Sequence, residues 1–179
     1  MKEPIKMETK MEIITGDWFD GTWEVGVHVA NLYHTFGSGI ARSILQTYPE
    51  VYDADLETPH GDENKLGTYS SCVIDDGRQI CNLYAMERIG NNGNPLNRNL
   101  KYDHFYDGFY KICSDAAEQN KKIIGVPYLI GCCRAGGNWN IVNQIMMEIV
   151  TEFDLELRIY KIENYETSAT STPSKTRTF

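Results

Sequence analysis

Three residues able to handle protons or orient a ligand stand close together in the first quarter of the chain: His28, Asn31 and His34. A histidine titrates near neutral pH and serves as general acid or base, and an asparagine amide both donates and accepts hydrogen bonds. After five intervening residues Asn31 is followed by Gly37-Ser38-Gly39 and then Ile40. The β-branched run before it (Val25, Val27, Val29) reads as a strand, and the stretch from Ile40 to Tyr52 reads as an amphipathic helix. Strand, glycine loop and helix start present backbone N–H groups and the positive end of a helix dipole to phosphate. A second loop, Gly131-Cys132-Cys133-Arg134-Ala135-Gly136-Gly137, lies between another apolar strand and another helix. Paired loops of this kind predict a diphosphate or a phosphorylated nucleotide as ligand.

Each of these residues also has a plainer reading. His28, on an apolar strand, is as readily a satisfied core histidine, and His34 is as readily a surface loop residue. His60 and His104 read as solvent-facing. Cys72 and Arg78 have the Cys-x5-Arg spacing of cysteine phosphatases. Asp75 and Asp76 would repel phosphate, however, and with Gly77 they form a hairpin signal, so that spacing is coincidental. Cys132 and Cys133 read as small loop-packing residues, and Asp53, Asp55 and Glu57 as a solvated helix end. No His, Asp or Cys set has convincing metal spacing, so neither metal nor cofactor is expected.

Composition narrows the function classes. Five cysteines without a CxxC pair predict reduced thiols in a cytoplasmic protein. No apolar run approaches the roughly 20 residues that span a bilayer. The first residues lack the apolar core of a secretory signal. A formal charge of −8 argues against non-specific nucleic-acid binding.

Strands are predicted at Met11–Thr15, Val25–Ala30, Leu66–Ile74, Gln79–Ala85, Lys122–Gly131 and Leu155–Ile162. Helices are predicted from Ile40, with a break at Tyr48-Pro49, and at Tyr102–Asn120 and Trp139–Phe153. Asn91 to Asn99 is a long polar connection. The order predicts an α/β fold, a three-layer α/β/α sandwich with a mixed central sheet. Residues 1–10 form an N-terminal extension, 11–166 the domain, and 167–179 a Ser/Thr-rich tail expected to be disordered.

With these pieces in order, the chain resembles the macrodomain family, the ADP-ribose-binding fold, from about Met11 to Ile162. The resemblance rests on His28-Val-Ala-Asn31, Gly37-Ser-Gly-Ile-Ala41 and Gly131-Cys-Cys-Arg-Ala-Gly-Gly-Asn-Trp139. It is nearest to the branch of ADP-ribose-1″-phosphate phosphatases, terminal ADP-ribose glycohydrolases and DarG-type macrodomains.

The resemblance implies roles for individual residues. Asp17 accepts from the adenine amino group, with Trp18 beside it in the binding set, and Asn31 lies near the distal ribose. Gly37, Ser38, Gly39 and Ile40 on one side, and Gly131, Cys132, Cys133, Arg134, Ala135 and Gly136 on the other, surround the diphosphate. Trp139 packs the second loop onto the core. Cys133 and Arg134 replace the usual Gly-Leu, so Arg134 either tightens the loop or adds a phosphate contact. The glycohydrolase members carry a lysine after the fourth strand and an acid in the second loop, where this chain has Met86-Glu87-Arg88 and Ala135.

The implied activity is hydrolysis of ADP-ribose-1″-phosphate to ADP-ribose and phosphate by a monomeric enzyme that needs no metal. In that reading the Gly37–Gly39 loop holds the 1″-phosphate, and His28 or His34 moves the proton. The alternatives are a non-catalytic reader of ADP-ribose or a related NAD metabolite, an ADP-ribosyl hydrolase acting on protein or DNA, and an O-acetyl-ADP-ribose deacetylase.

Overall fold

Val25–Ala30 is almost wholly buried, as a strand covered on both faces must be. It is β2, one of the two central strands of a six-stranded sheet in the order β1-β6-β5-β2-β4-β3. The others are β1 (Met11–Thr15), β3 (Tyr69–Val73), β4 (Gln79–Tyr84), β5 (Ile123–Pro127) and β6 (Glu156–Lys161). Every neighbouring pair is parallel except β3 and β4, joined antiparallel through the Asp75-Asp76-Gly77 turn, so the sheet is mixed as expected. The computed structural model describes residues 10–88 and 98–163. The N-terminal extension, most of the Asn91–Asn99 connection and the tail therefore lie outside the described residues.

Helices α3 (Tyr102–Glu118) and α4 (Trp139–Glu152) cover one face of the sheet. Phe105, Phe109, Val142 and Met146 are fully buried there against Val25, Val27 and Leu157. Helices α1 (Gly39–Thr47) and α2 (Pro49–Leu56) cover the other face through Ile44 and Val51. Pro49 is the first residue of α2. A proline disfavours helical backbone in the residue before it, and Tyr48 (φ −134°, ψ 70°) leaves the helix there. Strand alternation then sets the site, because Val25 and Val27 face α3 and α4 while Gly26 and His28 face the α1–α2 side.

Two tryptophans fix the segment that follows β1. Trp18 and Trp23 stack at 4.7 Å, and the Trp18 indole N–H donates to the Gly125 carbonyl at 3.0 Å. Gly26 and Gly125 leave room for them, since a Cβ at Gly125 would stand 2.2 Å from the Trp23 ring. Arg78 lies over Trp23 at 4.3 Å and donates to the carbonyls of Phe19 and Gly21. Asp17, next to this cluster, is held at one end of the site.

Candidate functional site

In an open parallel sheet, ligands bind beyond the carboxyl ends of the central strands, where the following loops diverge. A cavity of about 620 Å³ lies there, bounded by the loops after β1, β2 and β5. It brings together Asp17, Trp18, His28, Asn31, Ser38, Gly39, Ile40, Gly131, Cys133, Arg134 and Ala135. His34, Gly37, Cys132, Gly136 and Trp139 stand outside its lining.

The first loop delivers the start of α1 to this cavity. Ser38 is the N-cap, and its side chain makes no capping bond. The turn begins with Arg42 N–H donating to the Ser38 carbonyl at 3.3 Å, so the preceding helical N–H groups have no acceptor within the helix. Gly39 takes φ +57°, a conformation that favours glycine. Unbonded donors, a free hydroxyl and the helix dipole together suit an anion.

The second loop is tightly folded. Cys132 N–H donates to Leu129 O at 2.9 Å, and Gly137 N–H donates to Gly131 O at 3.0 Å. A Cβ at Gly137 would come within 2.7 Å of that same carbonyl, so the turn needs glycine. Cys132 points into the turn, its thiol donates to Ile130 O, and burial pushes it up to about 12. A thiol so rarely ionised is a poor nucleophile. Trp139 packs edge-on against Tyr128 at 5.2 Å, which ties α4 to the end of β5.

Asp17 caps the short helical turn Trp18–Asp20, its Oδ1 accepting from Phe19 N–H at 3.0 Å. Asn31 is 2 % exposed, and its side chain folds the loop it begins. Its amide donates to Thr35 O at 2.9 Å, while Oδ1 accepts from Tyr33 N–H at 2.8 Å.

The two candidate histidines have different surroundings. His28 is completely buried, with its ring edge-on to Phe36 and Nε2 2.5 Å from Asn82 Oδ1. Asn82 donates its amide to Val51 O and Ser70 Oγ, so its oxygen faces His28 and Nε2 carries the hydrogen. Burial lowers the His28 pKa, outweighing the raising effect of Asn82, and keeps the ring neutral at pH 7. The Nδ1 lone pair is left without a partner. His34, expected in a phosphate-facing loop, instead bonds through Nδ1 to Asp55 Oδ2 at 2.8 Å. Its backbone takes φ +55°, and its carbonyl accepts from the Tyr52 hydroxyl.

Asp55 itself corrects the expectation of a solvated helix end. It is fully buried and also accepts from the Tyr84 hydroxyl at 2.6 Å. His104, expected in solvent, is half-buried. Among the described residues no three His, Cys, Asp or Glu gather as a metal would require. No helix among them is long and apolar enough to cross a membrane.

Sequence reasoning missed the apolar walls of the cavity, chiefly Phe19, Phe36, Tyr128 and Ile162. The available signal was aromatic residues at loop positions beside the motifs, Phe36 directly before Gly37 being the plainest.

No family model matches the chain. It is 31% identical over 125 residues to the uncharacterized 17.5 kDa protein in the tk-vs intergenic region of Enterobacteria phage T4, a match covering 66% of this chain and 75% of that protein. Among solved structures, the macrodomain of Thermus aquaticus DarG superposes with a TM-score of 0.68 at 17% identity, covering 84% of this chain and 97% of that one. Thermosipho africanus DarTG in complex with ADP-ribose superposes with a TM-score of 0.68 at 17% identity, covering 89% of this chain and 43% of that one.

Proposed function

Because this chain belongs to one family with the phage T4 17.5 kDa protein and has the macrodomain fold, we propose that its cavity binds ADP-ribose and that it releases phosphate from ADP-ribose-1″-phosphate. One observation carries the ligand class: a single cavity joins Asp17, the open N-terminus of α1 and the Gly131–Ala135 loop. The carboxylate suits an exocyclic amine, and the two loops suit a diphosphate without adding much positive charge. A structure of similar fold was solved in complex with ADP-ribose, which supports the same ligand class. Asn31 and Thr35 border the place left for the distal ribose.

In the proposed reaction a water oxygen bonds to phosphorus and the bond from phosphorus to the anomeric oxygen breaks. The attacking water loses a proton, and the departing oxygen gains one. His28 lines the cavity with a neutral ring, and in this reading it takes the water's proton at Nδ1, which is buried in the structure and would have to be reached by that water. His34, bonded to Asp55 outside the lining, holds the loop in place. The experiment is phosphate release from ADP-ribose-1″-phosphate, run beside ADP-ribosylated protein and DNA. Release from the first substrate alone supports the reading.

The complete burial of His28 favours one second reading, a non-catalytic ADP-ribose reader. Binding of ADP-ribose with neither phosphate released from ADP-ribose-1″-phosphate nor ADP-ribose released from the modified protein or DNA would select it.

Asp17→Ala is expected to weaken ADP-ribose binding by roughly 1–3 kcal/mol, the range for removing one partner of a polar group buried by the ligand. Calorimetry on the wild type and the variant checks this. Equal affinities would place adenine elsewhere.

A further inference from the structure

A second, more open hollow of about 360 Å³ adjoins the cavity and shares Asn31 and Thr35 with it. Tyr33 and Arg88 complete its lining. Asp17, which takes the opposite end of the ligand in the reading above, has no part in it. The hollow therefore opens from the side where the distal ribose would stand.

Its wall is a built feature. Asn31 Oδ1 accepts from Tyr33 N–H, which sets the direction of that residue, and the Tyr33 ring rests edge-on against His60 at 5.3 Å. Gly61 at φ +69° passes behind the ring, where even a Cβ would approach to 3.1 Å. Leu32 N–H donates to Glu87 O at 3.2 Å, pinning the segment after β4 to the segment after β2. That bond brings the exposed Arg88 guanidinium over the Tyr33 ring at 5.6 Å. The neighbouring Glu87 carboxylate pairs with Lys101 at 3.5 Å.

From this arrangement we propose that the hollow is the subsite for the group carried on the distal ribose, and that Arg88 selects a phosphate there. The inference rests on the ADP-ribose reading and adds the source of its specificity. A guanidinium offers a planar fork of donors that matches phosphate oxygens in pairs. Arg88 is the charged residue of the hollow's lining, in a protein whose net charge of −8 otherwise disfavours an anion. The 1″-phosphate thus stands at Asn31 and Thr35, the residues common to both hollows, between Arg88 and the cavity that His28 lines, and the Gly37–Gly39 loop is left to the diphosphate.

The test compares two probes that the protein cannot turn over: ADP-ribose, and ADP-ribose carrying a 1″-phosphonate in place of the ester. Wild-type protein is expected to bind the phosphonate about 10- to 100-fold more tightly, the range for a hydrogen-bonded charge. Arg88→Ala should abolish that preference and leave ADP-ribose affinity unchanged, and Arg88→Lys should restore part of it. A preference that survives in Arg88→Ala overturns the proposal, as does a wild type that binds both probes equally. A wild type that binds neither removes the ADP-ribose reading itself, a distinct result. Arg88 is exposed, so its variants should fold as the wild type does.

Discussion

His28→Gln is expected to lower phosphate release from ADP-ribose-1″-phosphate by about 10²–10⁴-fold, the usual contribution of a positioned general base. The glutamine amide can still donate to Asn82 Oδ1, so the substitution removes the ring lone pair while keeping the buried bond. ADP-ribose affinity should stay close to that of the wild type. Turnover retained in full would remove His28 from the mechanism. The pH dependence follows from its environment. A base whose pKa is lowered by burial stays unprotonated below the ordinary histidine value of 6.5, so the acid limb of turnover should fall below that pH.

The same depression links folding to pH. Between the lowered folded value and 6.5 the unfolded chain binds a proton at His28 that the native chain refuses. The contribution of His28 to stability is therefore complete above pH 6.5 and is lost as pH falls. Urea unfolding at pH 5 and pH 7.5 should show a smaller loss on acidification in His28→Gln than in the wild type.

Asp55→Ala is expected to destabilise the fold by about 2–5 kcal/mol, since two buried donors lose their acceptor at roughly 1–3 kcal/mol each. The variant leaves the Tyr84 hydroxyl and His34 Nδ1 without the acceptor they share. The loop from Asn31 to Phe36 loses its brace, so ligand affinity should fall along with stability. Chemical denaturation and calorimetry on the same preparation measure both. A loss under 1 kcal/mol would mean that the pair contributes little beyond what solvent could replace.

Local rules carried most of the fold. Alternation placed β2, the Asp75-Asp76-Gly77 turn marked the antiparallel pairing of β3 with β4, and Tyr48-Pro49 marked where α1 ends and α2 begins. The strand from Lys122 was read too long because its apolar run continues past Pro127 into the loop that lines the cavity. The glycine loops were legible because backbone N–H groups at a helix start need no particular side chain.

What the sequence left open depends on contacts distant along the chain. The surroundings of His34 depend on Asp55, 21 residues later, and the tautomer of His28 depends on Asn82, 54 residues later. Neither spacing has a local signature. Asp55 looked solvated because its neighbours Asp53 and Glu57 are exposed, yet the turn of α2 points it alone toward Tyr84. The Arg88 hollow was hidden for a similar reason, since two loops 55 residues apart meet there through the Leu32–Glu87 backbone bond.

Calorimetric titration of the full chain with ADP-ribose tests the central claim most directly. A cavity that joins an adenine acceptor to two diphosphate loops predicts saturable binding with a dissociation constant of about 1 μM, about −8 kcal/mol. Absence of heat at millimolar ligand, together with an unchanged melting temperature, would contradict it.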